Sequence, residues 1–118
     1  MGENMKNMIV AIAALAVISS FAGCTDDPPS VRVANERATK ANVQFKQANG
    51  NTINHNDVES GTYSNLQDVA EGTIVITAVI QNESVSPTTS FNASNGENHT
   101  VVVVGGDPPM LRVDTQSK

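Results

Sequence analysis

From Val31 onward, apolar and polar residues alternate with a period of two, and no segment carries the longer period of an amphipathic helix. Val31-Arg32-Val33-Ala34-Asn35 begins this way. Val43-Gln44-Phe45-Lys46 repeats it, with Val43 and Phe45 on one face and Gln44 and Lys46 on the other. Asn49-Gly50 follows, a dipeptide suited to a tight hairpin. The polar stretch from Asn51 to Asp57 predicts only a short, weak strand around Thr52 and Ile53. Gly61–Leu66 reads as another strand, and Asp68–Gly72 as the turn out of it. Thr73–Ile80 is the strongest element. Its β-branched run suits a central strand with Ile74, Ile76, Ala78 and Ile80 on one face. Asn82–Pro87 reads as a loop, Thr88–Ala93 as a polar edge strand, and Asn95-Gly96 as a second tight turn. His99–Val104 predicts the other central strand, stopped by Gly105-Gly106 and Pro108-Pro109. Met110–Val113 can pair last, before a frayed tail. About seven strands at this spacing predict an all-β domain, an Ig-like antiparallel β-sandwich, with a small barrel as the alternative. The cysteine pair and core Trp of antibody domains are absent.

The pattern upstream differs. Lys6 precedes an unbroken apolar run, Met8–Ile18, which has the length of a signal-peptide helix and is too short for a bilayer span of roughly 20 residues. Small residues follow, and then Phe21-Ala22-Gly23-Cys24. Met5-Lys6-Asn7 offers a second start that would omit Glu3.

Phe21-Ala22-Gly23-Cys24 resembles the lipobox of bacterial lipoproteins, with Phe21 where the family usually has Leu, Val or Ile. The resemblance implies cleavage between Gly23 and Cys24, a diacylglycerol thioether on Cys24, and usually an acyl chain on the new amine. At about 0.8 kcal/mol per buried methylene, two or three chains hold a membrane far more firmly than one. Thr25 stands where an Asp would retain such a protein at the inner membrane, so outer-membrane delivery is favoured. Asp26 and Asp27 loosely resemble a surface-export signal and equally suit a solvated linker. The organisation expected is a signal peptide over 1–23, a lipidated cysteine and tether over 24–30, a β-sandwich over 31–114 and a tail over 115–118.

Composition agrees with export and narrows the chemistry. There is one cysteine among 118 residues, so no intrachain disulfide can form, and lipid on Cys24 accounts for an otherwise odd lone thiol. The net charge of −5 excludes the basic footprint of a nucleic-acid binder, and no basic cluster faces lipid headgroups. After Gly23 the aromatic residues are Phe45, Tyr63 and Phe91 alone, so the core rests on aliphatic side chains. The same scarcity weighs against carbohydrate platforms.

The succession Val31–Asn35, Ala41–Phe45, Val69–Ile76 and His99–Gly105 resembles a family of exported bacterial domains of unknown function, found on lipoproteins and surface proteins. The shared features are an Arg-x-x-Asn opening, a Val-x-aromatic strand, a Gly-Thr turn into a strand, and a Thr-Val-Val strand ending in Gly. Asn35–Thr39 departs from the family's usual Asn-Ala-Ser-Pro-like turn. The resemblance implies no activity and no catalytic residues.

Candidate chemistry is sparse. No nucleophile motif appears, so no enzymatic activity and no cofactor are expected. His55, Asp57 and Glu59 alternate and would share a strand face, which makes them the candidate metal ligands. Zinc needs three or four converging ligands, however, and calcium six or more oxygens. Lys46 alternates with Phe45 and should face water, which removes it from isopeptide chemistry. The function expected is a lipid-anchored, non-catalytic envelope module that binds another envelope protein or a surface polymer. The alternative is a periplasmic small-ligand or metal-binding module using loops near His55–Glu59 or Glu97–His99.

Overall fold

A computed structural model describes residues 27–118. The expected signal-peptide helix, the cleavage expected between Gly23 and Cys24, the lipidation expected on Cys24 and the first tether residues fall outside the described residues. Within them every regular element is a strand. In chain order they are β1 (Ser30–Asn35), β2 (Ala41–Lys46), β3 (Thr52–Val58), β4 (Gln67–Asp68), β5 (Gly72–Ile80), β6 (Thr88–Ala93), β7 (Glu97–Val104) and β8 (Met110–Ser117). They form two four-stranded sheets, β4-β1-β7-β8 and β3-β2-β5-β6, packed as a β-sandwich.

The alternation in β2 and β5 does what it predicts. Val43 and Phe45 point inward, as do Ile74, Ile76, Ala78 and Ile80, and all six are buried. Val31 and Val33 of β1 and Val101 and Val103 of β7 meet them from the other sheet. Burying a side chain of this size contributes about 1.5–3 kcal/mol, so this aliphatic layer supplies most of the drive to fold.

Four features depart from the sequence reading. The sandwich is not wholly antiparallel, because β1 runs parallel to β7 with Ser30 opposite Asn98 and Asn35 opposite Val103. The polar stretch after Asn51 is a full strand of seven residues, β3, held by antiparallel pairing to β2. Ladder pairing and inward burial of His55 override its weak intrinsic preference. Gly61–Leu66 is not a strand. It is a strap over β1 with one bridge, Tyr63 to Ala34, because the Ser64 hydroxyl takes the Val33 N–H (2.8 Å) where a backbone carbonyl would sit in a ladder. Finally, β8 continues past Val113 to Ser117, with Thr115 opposite His99.

Both ends of the domain are tied. At one end the entering chain is clamped to the body. Gly96 N–H donates to the Asp27 carbonyl (2.9 Å), Val69 N–H to that of Pro29 (2.9 Å) and Lys118 Nζ to that of Pro28 (2.6 Å). At the other end Asn35 is buried, and its amide donates to the carbonyls of Thr39 (2.7 Å) and Val58 (2.9 Å) while accepting from Arg37 N–H (2.9 Å). The Arg37 guanidinium then donates to the carbonyls of Val104 (2.9 Å) and Gly106 (3.0 Å) and pairs with Glu83 at 2.8 Å. Three loops are thereby fastened to one side chain.

Candidate functional site

The two histidines close the two flanks of the sandwich. His55, on β3 at the edge of one sheet, lies against Phe45 with ring centroids 5.3 Å apart. Its Nδ1 is 2.6 Å from the hydroxyl of Ser64, on the strap at the edge of the other sheet. That hydroxyl already accepts from Val33, so its own proton goes to one of two acceptors, His55 Nδ1 or the Asn65 carbonyl at 3.5 Å. The contact with Nδ1 is the shorter, and His55 Nε2 meets no hydrogen-bond partner. Burial holds the His55 pKa below the ordinary histidine value, a pull the Gln67 side chain only partly offsets.

His99 repeats the device on the opposite flank. Its ring lies 4.6 Å from that of Phe91 on the facing sheet, and Nδ1 is 2.8 Å from the Thr115 hydroxyl. Nε2 lies 3.5 Å from Glu97 Oε1 and makes no hydrogen bond. Burial again lowers the pKa, and the Glu97 carboxylate pulls weakly the other way. Glu97–His99 is the start of β7 rather than a loop, and at 1% exposure the His99 ring is closed to a ligand.

His55, Asp57 and Glu59 do not share a face. The register of β3 on β2 slips between Val43–His55 and Ala41–Val58, a bulge at which Asp57 adopts a φ of 54°. The bulge breaks the alternation that would have brought the three together, so His55 points inward while Asp57 and Glu59 are exposed. Among the described residues no three His, Cys, Asp or Glu side chains gather as metal ligands. Lys46 is exposed, on the solvent face of β2.

Of the aromatic residues, Phe45 is core and Phe91 packs against it, whereas Tyr63 is 65% exposed. The strap delivers the ring to the outside of β1, where the Arg32 guanidinium stacks 4.4 Å from its centroid. Arg32 Nε also donates to the Thr100 hydroxyl at 3.0 Å, which fixes the stack to β7. The Arg-x-x-Asn opening thus has two structural duties, since Arg32 holds Tyr63 and Asn35 holds the turn after β1. The exposure of Tyr63 was not legible, because alternation placed it in a strand rather than on a strap.

Beside Tyr63, β3 and the strap enclose an open groove. One part, about 330 Å3, has His55 in its wall together with Asn54, Asn56, Asn65 and Gln67. The adjoining part, about 270 Å3, runs past Asn56 and Tyr63 to Asp57 and Glu59. A second depression of about 330 Å3, at the far end, is lined by Glu36, Arg37 and Glu83, where the Arg37 guanidinium bonds Val104, Gly106 and Glu83. No family model matches the chain, and no curated protein matches it. Among the described residues no helix is long and apolar enough to cross a membrane.

Proposed function

We propose that this protein is a lipid-anchored, Ig-like β-sandwich of the bacterial cell envelope, with a non-catalytic binding or structural role. The observation that carries the reading is the sequence Phe21-Ala22-Gly23-Cys24 behind Lys6 and the apolar run Met8–Ile18. The clamp on Asp27–Pro29 supports it, since acyl chains on Cys24 would then tether one defined end of the sandwich. The Arg37-fastened loops would face away from the bilayer. Two sheets whose first strand runs parallel to a late one, β7, support the Ig-like assignment.

A non-catalytic role fits the chemistry of the closest approach to an active pair. Ser64 and His55 have the separation of a nucleophile and its base, yet the Ser64 oxygen is held in the β1 ladder by Val33 N–H. The groove beside Tyr63 and the depression beside Arg37 are open to solvent, which favours surface recognition over an enclosed small-ligand site. Labelling with radioactive palmitate in a bacterial host tests the anchor. Label is expected on the wild-type protein and absent from Cys24→Ser, and label that persists in the variant refutes it.

A further inference from the structure

We infer that the groove between β3 and the strap binds a neutral oligosaccharide stretch of a surface polymer, with Tyr63 as the stacking platform. This deepens the binding role proposed above and rests on it, but not on the lipid.

Three observations carry the inference. First, the groove is continuous, since its two parts share Asn56, Ser64 and Asn65. Second, its polar lining is dominated by carboxamides. The side chains of Asn54, Asn56 and Asn65 are exposed and make no hydrogen bond among the described residues. A carboxamide offers donors and an acceptor together, which is what a sugar hydroxyl, itself donor and acceptor, requires. Third, two apolar surfaces flank these amides, Tyr63 at 65% exposure and Leu66 at 50%. Arg32 holds the Tyr63 ring in place, so little side-chain freedom is lost when a pyranose face stacks on it.

The charge pattern selects the ligand class. No Lys or Arg lines either part of the groove, so a polymer lying in it meets cations only at the edges, Arg32 stacked on Tyr63 and Lys40 beside Glu59. Its carboxylates, Asp57 and Glu59, lie at one end, and Glu59 is 3.9 Å from Lys40. An added peptide strand is disfavoured because the bulge at Asp57 interrupts the free edge of β3. An uncharged ligand that hydrogen-bonds through many hydroxyls remains.

Native affinity electrophoresis of the purified protein, in gels containing dextran, yeast mannan or galactan, tests the inference, with alginate as the anionic comparison. At least one neutral polymer is expected to retard the protein. Tyr63→Ala and Asn56→Ala should each need about tenfold more polymer for equal retardation, the loss of one stacking or hydrogen-bonding contact. Tyr63→Phe should keep the effect, as should Asn92→Ala on the opposite flank. The urea midpoint of each variant is measured alongside, and Tyr63→Phe with Asn56→Ala decides the matter if Tyr63→Ala unfolds. Retardation by none of the neutral polymers, retardation by alginate alone, or undiminished retardation of folded Tyr63→Ala and Asn56→Ala overturns the inference. Such a failure with intact palmitate labelling leaves the anchored module standing. Loss of labelling with intact retardation removes the anchor alone.

Discussion

Arg37→Ala should cost the domain about 3 kcal/mol, and the structure says where the loss comes from. The side chain is 11% exposed and makes three charge-assisted contacts, to the carbonyls of Val104 and Gly106 and to Glu83. A hydrogen bond from a charged group contributes about 1.5–3 kcal/mol net. The two carbonyl bonds, taken at the low end because the Gly106 carbonyl can regain water, give the estimate. The Glu83 pair adds little, since that carboxylate is 32% exposed and a pair of this kind contributes under about 1 kcal/mol. Arg37→Lys keeps the charge but loses the planar fork, so it should retain one of the carbonyl bonds and cost about half as much. Glu83→Gln should cost under about 1 kcal/mol. Urea unfolding followed by far-ultraviolet circular dichroism reads these values. Thermal melts should shift by about 12–24 °C for Arg37→Ala at the usual scale for a domain of this size. If Arg37→Ala stays within about 0.5 kcal/mol of wild type, the three loops are not held by this side chain. If Glu83→Gln matches Arg37→Ala, the ion pair rather than the fork is what matters.

Other expectations follow from the core and the flanks. Phe45→Ala should cost about 3–5 kcal/mol, because the ring is fully buried, whereas Ile76→Val at the same depth should cost about 0.5–1.5 kcal/mol; both are read from urea midpoints. Gly72→Ala should destabilise by about 1–3 kcal/mol, since φ is +120° and a new Cβ would lie 2.9 Å from that of Ala48, and a melt no lower than wild type would contradict this. His55 and His99 titrate below the ordinary value of 6.5 in the folded state, so between 6.5 and those lowered values the unfolded chain binds more protons. Their contribution is therefore full above pH 6.5 and lost as pH falls through the window, giving a urea midpoint that drops from pH 7 to pH 5; a rise would show the histidines are not buried neutral.

The sequence was most legible where one residue's neighbours decide its fate. Ile74, Ile76, Ala78 and Ile80 announce a buried face because alternate β-branched residues have no other stable arrangement, and all four are buried. Val43 and Phe45 behave the same way. Legibility failed where distant residues decide. Asn54, His55 and Asn56 have little strand preference, and only pairing to β2 makes them a strand. The strap looked like a strand because Tyr63 and Leu66 sit among polar residues, yet after the backbone bonds of Thr62 and Ser64 to β1 the Ser64 hydroxyl takes the Val33 N–H and the ladder stops. The spacing of His55, Asp57 and Glu59 promised one face, and a one-residue bulge that no local signal marks removed it. Arg37 falls in the turn between β1 and β2, where alternation carries no signal, so nothing local pointed to its role.

The same physics explains why histidine closes both flanks. Each flank needs a ring large enough to meet Phe45 on the neighbouring strand or Phe91 on the facing sheet, and polar enough to fix a hydroxyl on another element. Phenylalanine would fill the space without engaging the Ser64 or Thr115 hydroxyl, which the imidazole Nδ1 atoms meet at 2.6 and 2.8 Å. Neutral imidazole satisfies both demands with Nδ1 and leaves Nε2 bare. The two flanks then differ in consequence. On the His99 side the ring is sealed at 1% exposure. On the His55 side Ser64 also anchors the strap that presents Tyr63, so losing the Ser64 hydroxyl should loosen the groove as well as the core. His55→Phe, which keeps a ring of that size and cannot engage Ser64, therefore separates this account from one in which His55 merely fills space. It should lower the urea midpoint and weaken polymer retardation together, whereas a space-filling role predicts that neither changes.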